Sequence, residues 1–156
     1  MPIAMKLKEY LGQEHARYDV ISHPHAVTSM RTAEQAHISG ENIAKAVVLH
    51  DEAGYVLAVV PATHKVQLGK LHKNFKRYLT LADEGDIQEI FDDCSLGAIP
   101  PVGRPYNMDV IYDDSLNRCE DIYFEAGDHT SLVHMSRDGF RALLHKVPHG
   151  MISRHR

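Results

Sequence analysis

The chain has 156 residues, 44% of them hydrophobic and 24% charged, with a net charge of −4 when histidines are counted neutral. That size supports one domain, residues 1–156, with a real core, and no apolar run nears the ~20 residues of a membrane helix. Cys94 and Cys119 form no disulfide framework, and the Met-Pro-Ile-Ala-Met-Lys start lacks a signal peptide's apolar region, so a cytoplasmic protein with reduced thiols is expected.

Leu7, Tyr10 and Leu11 recur at helical spacing and predict an amphipathic helix over residues 5–16. A short strand over 18–21 is stopped by His23-Pro24. Thr32-Ala-Glu-Gln35 fits a capping box that opens a short helix, with Gly40 as its C′ residue. The β-rich runs 44–49 and 55–60 flank Asp51-Glu-Ala-Gly54 and read as a hairpin closed by Pro61. Leu68, Leu71 and Phe75 suit one face of a basic helix, and residues 78–81 another strand. Asp83 can cap a helix holding Ile87, Ile90 and Phe91. Three further strands follow over 108–112, 122–126 and 131–135, the first two joined by a turn over 113–116. Ser136 can cap a last helix bearing Phe140, Leu143 and Leu144. The tail after Lys146, with Pro148 and Gly150, reads as loose. Strands and helices mix without regular βαβ alternation, which predicts an α+β domain: a mixed, largely antiparallel sheet with surrounding helices.

Charge is segregated along the chain. Residues 61–82 hold no acid but carry Lys65, Lys70, Lys73, Lys76 and Arg77, whereas residues 83–93 hold six acids and no base. Such a surface can bind phosphate locally despite an acidic total, or be two ordinary solvated faces.

Three places are hard to explain by folding alone. Lys45 sits at the start of a strand that should be buried, where a desolvated ammonium costs several kcal/mol unless it is paired or useful. It could hold a phosphate, a carbonyl or a developing oxyanion, or simply snorkel to water. The loop Gly97-Ala-Ile-Pro-Pro101-Val-Gly103 combines stiff prolines with glycines that let backbone amides approach a ligand closely. The strand end Ala126-Gly127-Asp128-His129 breaks into a glycine and a histidine that could serve as base or specificity group. Thr28 and Ser29 precede a helix that one of them can cap. Twelve histidines invite a metal reading. His23-Pro-His25 and the pair His129 and His134 nevertheless lack zinc spacing, so no metal and no cofactor are expected. No G-x-S-x-G or phosphate-loop motif is present, and Cys94 reads as a small buried residue.

The strand Ala44-Lys45-Ala-Val-Val-Leu49, the G-x-x-x-P loop from Gly97 to Pro101 and the Phe124-Glu-Ala-Gly-Asp-His129 strand end, in that order, resemble the YbaK / prolyl-tRNA-synthetase-associated editing domain. The resemblance covers residues 10–144. It implies an α/β domain that hydrolyses mischarged aminoacyl-tRNA, here as a free-standing, metal-independent deacylase for a small amino acid on a tRNA of the proline type. It implies Lys45 as the active-site residue that fixes the terminal nucleotide or carbonyl. Gly97 and Ala98 amides and Pro101 line the pocket, Gly127 and His129 shape the amino-acid side, and Thr28 or Ser29 lies over it. Aminoacyl-tRNA is the partner, with an aminoacyl-tRNA synthetase as a second one; membrane and DNA are not. The alternative from another class is a non-catalytic module that binds aminoacyl-tRNA or an amino acid, and a more distant one is a histidine-based metallohydrolase.

Overall fold

The computed structural model describes residues 3–24, 28–95 and 97–156, without the side chains of Ser29 and Gln35. Five α-helices are described, α1 Met5–Gln13, α2 Ser29–Ala36, α3 Leu68–Phe75, α4 Glu84–Ile90 and α5 Arg137–Leu143. The strands are β1 Asp19–Ser22, β2 Ala44–Asp51, β3 Gly54–Pro61, β4 His64–Val66, β5 Thr80–Leu81, β6 Asp109–Asp113, β7 Asp121–Glu125, β8 Ser131–Ser136, β9 His149–Gly150 and β10 Ser153–His155. Among the described residues no helix is long and apolar enough to cross a membrane.

The strands form three sheets, ordered β5-β2-β3-β6-β9, β1-β8-β7 and β10-β4. Among the strand pairings of the described residues, β3–β6 and β6–β9 are parallel and the other five antiparallel, so the mixed, largely antiparallel expectation holds. Period-two alternation explains the layering. Ala44 and Val48 of β2, Leu57 and Val59 of β3, and Val110 and Tyr112 of β6 face a main core shared with Ile122, Phe124, Val133 and Met135. The opposite side chains, Leu49, Val56, Ala58, Val60 and Ile111, pack under Leu71 of α3, Leu79 and Ile152. The central strand β3 is therefore buried on both faces, which is why it reads as the unbroken apolar run Val-Leu-Ala-Val-Val. An isolated parallel bridge between Ile43 and Tyr123 sets the start of β2 beside β7.

The hairpin forms where the sequence places it. Asp51 pairs Gly54, and the Asp51 carboxylate accepts the Ala53 amide (2.9 Å) and a bidentate Arg77 guanidinium (2.7 and 2.6 Å). Asp83 and Ser136 cap α4 and α5, accepting the amides of Asp86 (2.8 Å) and Gly139 (3.1 Å). Helix α1 stops at Gln13 rather than at residue 16, because His15 turns left-handed (φ 53°) and the chain reverses there.

Two expectations are corrected around α2. Its N-cap is Thr28, whose Oγ1 accepts the Arg31 amide at 3.1 Å, so Thr32 lies inside the helix and opens no capping box. The helix ends at a left-handed His37 (φ 57°), and Gly40 begins the next 3₁₀ turn instead of closing α2. A third correction concerns the tail. Beyond Lys146 the chain adds β9 to β6 and β10 to β4, and Ile152 is fully buried, its amide donating to Asp113 Oδ1 at 2.8 Å. Sequence reading missed β4 and both tail strands; each is two or three residues long and formed by pairing, not by local pattern.

Candidate functional site

The end of β7 is braced by backbone hydrogen bonds from two other segments. The Ala126 carbonyl accepts the Ala4 amide at 2.8 Å, and the Gly127 carbonyl accepts the Ser95 amide at 2.7 Å. Gly127 has φ 111°, and a Cβ there would stand 2.9 Å from Ala4 Cβ, so only glycine fits. Asp128 closes the turn by accepting the amides of Thr130 (3.0 Å) and Ser131 (2.9 Å). His129 follows in a left-handed conformation (φ 63°) and is buried.

The Ser95–Gly127 bond joins this turn to the Gly/Pro loop. Ile99 and Val102 insert into the main core, with Ala98, Pro100 and Pro101 buried beside them, while Gly97 stays exposed with φ 86°. The Ala98 amide donates to the Ser95 carbonyl at 3.0 Å. It is therefore spent on the loop's own turn, which corrects the expectation that both Gly97 and Ala98 amides line a carbonyl site. The Gly97 amide makes no backbone hydrogen bond among the described residues.

Lys45 is half-buried on β2, on the face of Val47 and Leu49. Its strand pairs at Val60, but its ammonium makes no hydrogen bond or ion pair among the described residues. Burial, reinforced by the positive charge of Arg156, lowers its pKa from 10.5 to about 8. The Ile43–Tyr123 bridge brings its strand alongside β7, but no hydrogen bond links Lys45 to the Gly127–His129 turn. Thr28 sits at the head of α2 as its cap, its side chain exposed; the Ser29 side chain and His25 lie outside the described residues.

Sequence reading missed the residues that α2 presses upon. The Thr32 hydroxyl, fully buried, donates to Glu125 Oε1 at 2.8 Å. Glu125 is 5% exposed, and burial pushes its carboxyl up to about 7 against the smaller lowering effects of Thr32 and His23. His23, also buried, is fixed through its Nδ1 at 2.8 Å from the Pro24 carbonyl oxygen. In sequence the acid alternates with Ile122 and Phe124 as a solvent-facing strand residue does, so no local signal marks it.

Other candidates recede. Burial pushes the Cys94 thiol up to about 12, far from a nucleophilic thiolate. His134 is taken up by Asp19 (3.1 Å) and Asp121 (2.8 Å). A cavity of about 450 Å³ opens between Tyr10, Arg104 and Lys146, but Lys45, Gly97, Gly127 and His129 are not in its walls. Of the basic run, Arg77 is bound by Asp51 and Lys70 by the Ser153 carbonyl (3.2 Å), leaving Lys65, Lys73 and Lys76 exposed.

Comparison with known proteins agrees with this architecture. The model of the aminoacyl-tRNA editing domain matches residues 23–143. A protein proposed as a trans-editing enzyme for prolyl tRNA synthetase superposes with TM-score 0.84 at 20% identity, over 99% of this chain and 98% of that one. A computationally designed epitope-grafting scaffold gives TM-score 0.84 at 19% identity over 100% and 99% of the two chains. A proposed signal transduction protein from Marinobacter aquaeolei VT8 gives 0.77 at 16% identity, over 95% of this chain but 30% of that larger one. At these identities the likenesses speak for the fold alone. No curated protein matches the chain in sequence. The family model spans most of the chain, including β2, the Gly/Pro loop and the Gly127–His129 turn, and the chain belongs to the aminoacyl-tRNA editing domain family.

Proposed function

We propose that the protein is a trans-acting deacylase that hydrolyses the ester of a mischarged small amino acid on tRNA, of the proline type, without a metal. The observation that carries this reading is Lys45: a half-buried ammonium with no partner among the described residues, in a family that edits aminoacyl-tRNA. With a pKa of about 8 it is largely protonated at neutral pH and keeps its positive charge for a ligand.

The ester is already activated, so positioning and oxyanion stabilisation suffice. Water attacks the carbonyl carbon, the acyl–oxygen bond breaks, and the ribose oxygen leaves with the proton that the water gives up. In this reading Lys45 holds the terminal nucleotide or the developing oxyanion. The Gly97 amide, on a loop that Pro101 stiffens, lines the carbonyl site, while Gly127 and His129 shape the amino-acid side. Thr28 and Ser29 open the helix that covers it. A hydrophobic pocket separates substrates differing by one methylene by only ~1–3 kcal/mol, which is why a second, free-standing check suits small amino acids. Exposed Lys65, Lys73 and Lys76 offer phosphate contacts despite the negative total.

The test is release of amino acid from a panel of aminoacyl-tRNAs by wild type and Lys45→Ala, with and without EDTA. Lys45-dependent, chelator-insensitive release of one small amino acid is expected. Tight binding with the ester left intact would replace the deacylase by a binding module.

A further inference from the structure

The face of β1, β8 and β7 beneath α2 holds two buried polar atoms that the fold leaves without a partner among the described residues. Glu125 Oε1 accepts from Thr32, but its Oε2 is buried with no partner among the described residues. His23 Nδ1 faces the Pro24 carbonyl, which can only accept, so this nitrogen carries a proton, and in that tautomer Nε2 is an acceptor. That Nε2 is likewise buried without a partner among the described residues. The two residues are 5% and 6% exposed.

Register puts both side chains on one face. Ile21 lies opposite Leu132, and Leu132 opposite Glu125. The ladder continues past β1, since the His23 amide donates to the Thr130 carbonyl at 2.8 Å. Residues two apart share a face, so His23 follows Ile21 onto the side of Glu125. The charged group that also faces Glu125 is Asp128, whose carboxylate is occupied by Thr130 and Ser131. Glu125 stands two residues before Gly127, the residue bonded to Ser95 at the head of the Gly/Pro loop.

We infer that Glu125 and His23 form a subsite for a primary ammonium, and, resting on the deacylase reading above, that it receives the α-ammonium of the aminoacyl group. An ammonium offers three N–H donors and no acceptor, which suits the free Glu125 carboxylate oxygen together with His23 Nε2. An anionic group would meet Glu125, and a hydroxyl brings a single donor. Burial holds the empty Glu125 carboxyl near neutrality, so an arriving cation expels its proton and restores the carboxylate. The subsite rejects N-acylated substrates, whose amide nitrogen is uncharged and bulkier.

The probe is 3′-alanylamino-3′-deoxyadenosine, whose amide resists hydrolysis, together with its N-acetyl derivative. Both are titrated calorimetrically into wild type and Glu125→Gln at neutral pH. Glutamine keeps an oxygen for Thr32, and circular dichroism confirms the fold. Wild type should bind the free amine at least about tenfold tighter than the acetylated probe, with proton release. Glu125→Gln should lose that preference and the proton release, leaving acetyl-probe affinity unchanged. Equal binding of both probes by wild type, an unchanged preference in Glu125→Gln, or no binding of the free amine would overturn the subsite and leave a buried water as the donor. Probe preference alongside an intact tRNA ester would retain the subsite and discard the deacylase; ester hydrolysis without preference would do the reverse.

Discussion

Replacing Glu125 by glutamine removes a buried titrating proton while preserving shape and the acceptor for Thr32. The wild-type carboxyl moves from 4.5 in the unfolded chain to about 7 in the fold, chiefly because burial disfavours its charge. A raised acid binds its proton more tightly in the folded state, so its contribution is fully present below 4.5 and is lost as pH rises through about 7. At about 1.4 kcal/mol per pH unit, that interval corresponds to about 3 kcal/mol. Glu125 is 5% exposed, so solvent screening removes little of it. Urea unfolding of wild type and Glu125→Gln at steps from about pH 4 to about pH 8 reads the effect as a difference, in which other titrations cancel. The stability of the variant relative to wild type should rise by about 3 kcal/mol across the range. A difference that stays flat within about 1 kcal/mol would refute the reasoning, and with it the attribution of the raised Glu125 carboxyl to burial.

Truncating Ile152→Ala should cost about 2–4 kcal/mol in the same assay, because the side chain is fully buried under β3 and α3; a cost below about 0.5 kcal/mol would restore the loose tail. Deacylation, if Lys45 acts as ammonium and Glu125 as carboxylate, should follow a bell in pH, rising near 7 and falling near 8; in Glu125→Gln the lower limb should vanish while the upper one stays. Two limbs unchanged by that substitution would assign the lower one elsewhere.

What was legible in the sequence is what neighbouring residues decide. Asp83 and Ser136 cap helices three residues ahead of the amides they bind, and the hairpin closes within Asp51–Gly54, so both are local facts. Lys45, Gly97 and His129 stood out because each violates the pattern around it. The tail failed for the opposite reason: the amide of Ile152 finds its acceptor at Asp113, and β10 finds β4, across separations that no window of sequence spans. Around α2 the sequence offers two caps: Thr32 has Gln35 three residues on, as a capping box requires, whereas Thr28, the cap that forms, has Arg31 there. What decides between them is Glu125, which recruits the Thr32 hydroxyl from 93 residues away.

That contact also explains why Glu125 itself escaped notice. In Asp121-Ile-Tyr-Phe-Glu125 the apolar Ile122 and Phe124 alternate with more polar positions, so the acid reads as one of the solvent-facing side chains of an amphipathic strand. The alternation is correct, since Ile122 and Phe124 do face the main core. Only the tertiary placement of α2 turns the outward face at Glu125 into an inner wall, with Thr32 supplying one hydrogen bond and leaving one oxygen over. A short helix laid across a sheet edge thus converts an ordinary surface acid into a carboxyl poised near neutrality beside His23.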